Sequence, residues 1–279
     1  MTFFADSMQK VLYKQLYQKP LVMVVGMHRS GTGLLTEILQ RLGVFMGKNL
    51  SGNRESLFFQ GINKELLDVM GCNWRHIDEL PNPDGILSQC SWMVDYAKQR
   101  IELGLVHGHF DITISTFFRG LPKNWGWKDP RNSLLIPIWQ TIFPQISVVH
   151  IFRDGRDVAL SLLKREMKRN KAKGIMTDIR MRNSCIGYLD LWEKYVRRIN
   201  ASWPSIEKRH CLSYENLVKN PGQEIRSLAA SLCVTMTSDA CAIVDAGRNS
   251  RARVERFPWF EDLRLTNPLL SELGYDPQT

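Results

Sequence analysis

The chain has 279 residues, 44% hydrophobic and 23% charged, which are ordinary globular values at a length that can bury a substantial core. A formal net charge of +9 favours anionic ligands: nucleotides, sulfated or phosphorylated acceptors, nucleic acid or acidic membrane surfaces. No apolar run approaches the roughly 20 residues that a membrane span needs, and none of the six cysteines forms a C-x-x-C pair, so the thiols read as reduced and mostly buried.

The N-terminal stretch MTFFADSMQKVLYKQLYQKP carries charges and glutamines throughout. It lacks the unbroken apolar core of a signal peptide, and a soluble, cytoplasmic protein is expected. Next comes LVMVVG (21–26), a valine-rich apolar run of the kind that forms a strand buried on both faces. Leu34, Leu35, Ile38, Leu39 and Leu42 then recur at helical spacing up to Gly43. Between strand and helix lies GMHRSGTG. Gly26, four residues and Gly31 match the start of a phosphate loop. That loop normally continues with Lys and then Ser or Thr, whereas Thr32 and Gly33 stand here. A cation sits inside the loop instead, at Arg29.

The segment 44–120 is read as mostly helical. Leu66, Leu67 and Met70 form an apolar face, and Pro81 and Pro83 fall in a loop. An acceptor pocket is expected there. His107 and His109 have no partners at zinc-like spacing and read as surface or packing residues. A short strand is predicted at NWGWKD (124–129), before a helix at about 131–142 that Pro137 bends or delays. The run QISVVHIF (145–152) reads as another strand and leads into the helix RDGRDVALSLLKRE. The charged run KREMKRNKAK (164–173) suits a solvated helix face or the entrance for an anionic acceptor. Ile186, Leu189, Val196 and Ile199 line a long helix, and RHCLSY (209–214) is a last strand followed by helix. Alternating strands and helices imply an α/β fold, a mostly parallel sheet with helices on both faces.

In such sheets ligands bind beyond the carboxyl ends of the strands. His28, Arg29, Ser30, Gly31 and Thr32 follow the first strand; Lys128, Asp129 and Arg131 follow the second; Arg153, Arg156 and then Ser161 follow the third; Tyr214 and Glu215 follow the last. A glycine-lined helix start among cations is an anion site. Two separated sets of cations, around Arg29 and around Arg153 with Ser161, suggest two separated anionic groups, as in a nucleotide carrying phosphate on both its 3′ and 5′ sides. Tyr214 and Glu215 read as structural.

These motifs together resemble sulfotransferases that use 3′-phosphoadenosine 5′-phosphosulfate (PAPS). GMHRSGTGLL is similar to the family's 5′-phosphosulfate loop, HIFRDGRDVALS to its 3′-phosphate motif, WGWKDPRNSLLIPIWQTIFP to the Lys-Asp-Pro segment of bacterial and tyrosylprotein-type members, and SYENLVKNP to the Tyr-Glu-x-Leu segment. Order and spacing agree from about residue 21 to 233. The resemblance implies a three-layer P-loop-like fold in one domain over 1–279. It implies that Arg29 contacts the bridging and sulfuryl oxygens, and that Ser30, Gly31, Thr32 and Gly33 cradle the 5′-phosphate. Arg153 and Ser161 would take the 3′-phosphate, and Lys128 would stabilise charge in the transition state. Gly33 stands where many members carry Thr or Ser, and Ser250, Arg251 and Arg253 lie where relatives cover the cofactor.

A transferred sulfuryl carries less charge than a phosphoryl, so arginine and lysine can replace Mg²⁺ and no metal is expected. The acceptor hydroxyl must lose a proton. Glu55 ranks first as base by family position, then His28, then Asp129, which could equally pair with Arg131 or cap a helix. The acceptor is expected to be a carbohydrate or other small metabolite rather than nucleic acid. Alternatives are a P-loop kinase or nucleotidase, against which Thr32 and Gly33 count, and a non-catalytic nucleotide- or anion-binding protein.

Overall fold

The computed structural model describes residues 11–110, 121–170, 178–244 and 267–275. Five strands form one sheet: β1 (Leu21–Val25), β2 (Val44–Phe45), β3 (Asn124–Lys128), β4 (Ser147–Phe152) and β5 (Lys208–Ser213), in the order β2-β3-β1-β4-β5. Every pairing is parallel, with Val24 opposite both Lys128 and Val149, and His150 opposite Cys211. Parallel neighbours require crossovers, and helices supply them. The strand ends at Val25, Lys128, Phe152 and Ser213 therefore open on one edge of the sheet.

β1 shows why its sequence is apolar without alternation. Leu21, Met23 and Val25 face one core, while Val22 and Val24 face another. The second core is closed by α1 (Thr32–Arg41), whose Leu34, Leu35, Ile38 and Leu39 are buried as the helical spacing predicts. The first is closed by α2 (Leu57–Val69), α3 (Pro83–Gln89), α4 (Trp92–Gly108) and α5 (Ile136–Ile142). The crossover from β4 to β5 is α6 (Gly155–Asn170) and α7 (Asp178–Ser202), whose buried Leu189, Trp192, Val196 and Ile199 also join the first core.

Three readings of the sequence need correction. Pro83 opens α3 rather than lying in a loop, a position where its missing N–H costs nothing. The helix expected over 131–142 is two pieces, a 3₁₀ turn at Pro130–Leu134 and then α5, because Pro137 fits only in a first turn. The edge strand β2 is too short to leave a periodic signal.

A buried polar network fixes the turn after β3. Asn132 donates to Val24 O at 3.1 Å and accepts from Trp127 and Asn63, while Asn63 accepts from Trp139. Each donor is met, so burying these groups is tolerable. His109 ties the same strand to the start of α2. A carbonyl can only accept, so Nε2–H donates to Gly126 O (3.1 Å) and Nδ1 accepts from Ser56 Oγ (2.9 Å). This is a packing histidine, and no metal-holding cluster occurs among the described residues.

Burial drives the His109 pKa down to about 3 and that of His150 to about 4. A histidine with a depressed folded pKa binds fewer protons than the unfolded chain does, so stability falls as pH drops from about 6.5 towards 3. At about 1.4 kcal/mol per pH unit, His109 alone should cost on the order of 3 kcal/mol by pH 4. Urea midpoints at pH 7 and pH 4.5 should differ accordingly, with a flatter dependence in His109→Gln; an unchanged pH dependence in that variant would show that His109 is not the group responsible.

Candidate active site

The loop after β1 is built for close approach. Gly26 has φ 146°, and a Cβ there would lie 2.4 Å from Ile151 O. Gly31 has φ 97°, and its Cβ would lie 2.5 Å from the Tyr214 ring. Only glycine fits at either position. Gly26 N–H donates to Ser133 Oγ at 2.9 Å, which pins the loop to the turn after β3. Arg29 adopts φ 74° although it carries a side chain, a strain of roughly 1–2 kcal/mol. At Gly33 a Cβ would meet only Asn53 O, at an ordinary 3.6 Å, so nothing in its surroundings demands glycine.

Gly31 caps α1 without a side-chain hydrogen bond, and the first turn of that helix holds no acidic residue. The Ser30 hydroxyl is buried with no partner, and so is His28 Nε2. Uncapped helix amides and a buried, unpaired hydroxyl are the donors an anion needs.

The loop opens on a cleft of about 320 Å³ at the carboxyl edge of the sheet, although Ser30 itself is buried and not part of the lining. The cleft brings together His28, Arg29, Gly31, Thr32, Gly33, Glu55, Lys128 and Arg153 from the predicted set. Ser161 joins them on α6, accepting from Arg29 Nε at 2.8 Å. Arg153 donates to Asp157 (2.9 Å) and towards Arg29 O (3.4 Å), and it lies 4.4 Å over the Tyr214 ring. The two cation sets expected to be apart are thus in contact through Arg29. Strand β4 lies next to β1, and that adjacency cannot be read from chain order.

Other strand-end charges serve structure. Arg156 forks onto Asp154. Arg131 pairs with Asp129, which is fully buried and also caps the 3₁₀ turn by accepting from Arg131 N. Glu215 accepts from Asp154 N, Ser213 Oγ and Tyr275 OH.

Lys128 ends β3 and is only 2% exposed. Its Nζ donates to Asn53 O at 2.6 Å and lies 3.7 Å from Glu55 Oε1. Burial lowers its pKa, and Glu55 and then Asp129 oppose that shift. Glu55 stands just before the N-cap of α2 and is itself buried. Its Oε1 lies 4.0 Å from His28 Nδ1. The His28 pKa is pushed well below its usual range by burial first, then by Arg131, Arg165, Lys128 and Arg29. The ring is therefore neutral near pH 7.

Two neighbours are not singled out by the sequence, although the run 164–173 that holds the first offered an acceptor entrance as one of its two readings. Arg165 lines the cleft one helical turn beyond Ser161, on the same face of α6, and lies 4.8 Å over the Trp74 ring. Its i, i+4 relation to Ser161 was the available signal, hidden in a charged run. Trp74 also packs against His28, at 4.6 Å between ring centroids, from a loop with no periodicity to mark it.

A parallel sheet in the order 2-3-1-4-5, with a glycine loop, an uncapped helix start and converging cations at its carboxyl edge, has the layout of a P-loop-like α/β fold. The sulfotransferase family model matches residues 20–238. The chain belongs to the sulfotransferase family. Among solved structures it is similar to the sulfotransferase domain from the curacin biosynthetic pathway, at 14% identity, covering 92% of this chain and 98% of that one with a TM-score of 0.53. Sulfotransferase STF1 from Mycobacterium tuberculosis H37Rv matches at 15% identity over 91% of this chain and 80% of its own, with a TM-score of 0.47. Mouse sulfotransferase SULT7A1, solved in complex with PAP, matches at 16% identity over 85% and 68%, with a TM-score of 0.44. At such identities the likeness concerns fold. No curated protein matches the sequence significantly. Ser250, Arg251 and Arg253 lie outside the described residues. No described helix is long and apolar enough to cross a membrane.

Proposed function

We propose that this chain transfers a sulfuryl group from PAPS to the hydroxyl of a carbohydrate or other small metabolite, leaving adenosine 3′,5′-bisphosphate. The observation that carries this reading is the meeting of Arg29, Lys128 and Arg153 beside a single carboxylate, Glu55, among the described residues lining the cleft. The donor supplies an activated sulfuryl group on a phosphate leaving group. The residues present suit it: the Ser30 hydroxyl and the uncapped amides of α1 can receive the 5′ side, with Gly31, Thr32 and Gly33 as the cradle. Arg153, pre-positioned by Asp157 and Tyr214, and Ser161 can receive the 3′-phosphate.

Arg29 and Lys128 offset the charge that grows on the bridging oxygen. Glu55 accepts the proton of the acceptor hydroxyl. The region 44–120 supplies the acceptor side, with Glu55 lining the cleft and Trp74 packed against His28. Free thiols at all six cysteines accord with a reducing, cytoplasmic setting. A kinase or nucleotidase is disfavoured because Thr32 and Gly33 replace the lysine and hydroxyl that would hold a γ-phosphate and its Mg²⁺.

The test is a thermal-shift comparison. Adenosine 3′,5′-bisphosphate without metal, at about 100 times its Kd, should stabilise the fold by about 2.7 kcal/mol. Arg153→Ala should abolish most of that gain. ATP with Mg²⁺ should do little, and the reverse order of ligands would sink the proposal.

A further inference from the structure

The carboxylate of Glu55 is held unequally. Oε1 faces the cleft, 3.7 Å from Lys128 Nζ and 4.0 Å from His28 Nδ1. Oε2 faces away and accepts from Gln60 Nε2 at 2.6 Å and, more weakly, from Ser51 Oγ at 3.4 Å. Gln60 lies on the first turn of α2. The other end of its amide, Oε1, accepts from Lys64 Nζ at 3.2 Å, one helical turn on. A lysine can only donate, so Lys64 fixes which way the amide points. The amide must present its NH₂ to Glu55, because the opposite orientation would set oxygen against oxygen.

We propose that Gln60 is a positioning residue for transfer: its amide, oriented by Lys64, clamps Oε2 of Glu55 so that Oε1 meets the acceptor hydroxyl. This rests on the reading of Glu55 as the base. A free carboxylate could rotate, or could turn both oxygens onto Lys128 and bind that cation too tightly to exchange it for the growing charge on the leaving group. A neutral amide prevents this without bringing a second charge into a buried site, where charges are costly. Around the carboxylate, Lys128 from β3 and His28 from the glycine loop face Oε1, and Asp129 is close enough to interact electrostatically with both Glu55 and Lys128. Gln60 and Ser51 supply the neutral side.

The test uses the whole chain with PAPS and an acceptor found by screening. Gln60→Leu should lower kcat about tenfold or more, while bisphosphate affinity stays within about twofold, since Gln60 touches no residue assigned to the donor. The loss should fall on kcat and leave the KM for PAPS unchanged, a split that general misfolding would not give. Gln60→Glu, which sets a second carboxylate against the first, should lower kcat at least as much. In a Glu55→Gln background the same Gln60→Leu change should have no further effect on kcat, because the two residues act as one unit. A Gln60→Leu enzyme with wild-type kcat would overturn the proposal. So would a loss equally large in the Glu55→Gln background, which would mark Gln60 as merely structural. A fully active Glu55→Gln enzyme would instead remove Glu55 as the base, a failure of the underlying reading and distinguishable from the other two.

Discussion

Glu55→Gln is expected to lower kcat by about 10²–10⁴ while leaving bisphosphate affinity nearly unchanged. Three groups near the cleft could take the acceptor proton, and their surroundings separate them. Asp129 is fully buried, and both its oxygens are committed to Arg131. His28 has a buried Nε2 without a hydrogen-bond partner, but burial and four surrounding cations push its pKa far down. Such an imidazole gains little by taking a proton at neutral pH. Glu55 lines the cleft with its Oε1 directed towards Lys128 and His28. Glutamine keeps the size and can still hydrogen-bond, so folding should survive while proton acceptance is lost. His28→Asn should cost much less. Steady-state kinetics with the bisphosphate Kd measured in parallel decides the matter: a Glu55→Gln enzyme within about tenfold of wild type, or a larger loss in His28→Asn, would reassign the base.

The glycine-rich loop after β1, the four longer strands and the cations at the ends of three of them were legible because each is a local pattern. The run LVMVVG announces a strand covered on both faces, and β1 divides its side chains between two cores for that reason. The glycines at 26 and 31 announce close approach, although what approaches them, Ile151 and Tyr214, comes from distant parts of the chain. What stayed hidden depends on which strands become neighbours. Nothing local places Ser161 against Arg29. The charged run from Lys164 is indistinguishable from a solvated face until Trp74 is seen beneath Arg165. Asp129 and Arg131 show the reverse case, since residues that look chemical at a strand end are spent on each other and on the 3₁₀ turn.

Lys128→Met should lower kcat by about 10²–10³, the usual loss when one group stabilising transition-state charge is removed. Its buried setting explains why so much rests on one side chain. Lys128 is held by Asn53 O and faces Glu55 in a site with little water to screen it, so its field on the leaving oxygen is stronger than at a surface. The same burial predicts a stability effect with a particular structure. Removing the cation leaves the buried Glu55 without its charged partner, and breaking such a pair costs on the order of 3 kcal/mol. Replacing both members, as Lys128→Met with Glu55→Gln, should restore most of that loss, because two neutral side chains carry no desolvation penalty. Urea denaturation of the two single variants and the double variant completes the cycle. If Lys128→Met proved inactive but no less stable, and the double variant showed no recovery, Lys128 and Glu55 would not be coupled. The lysine would then act on the donor alone, with its charge balanced by Asp129 rather than by the base.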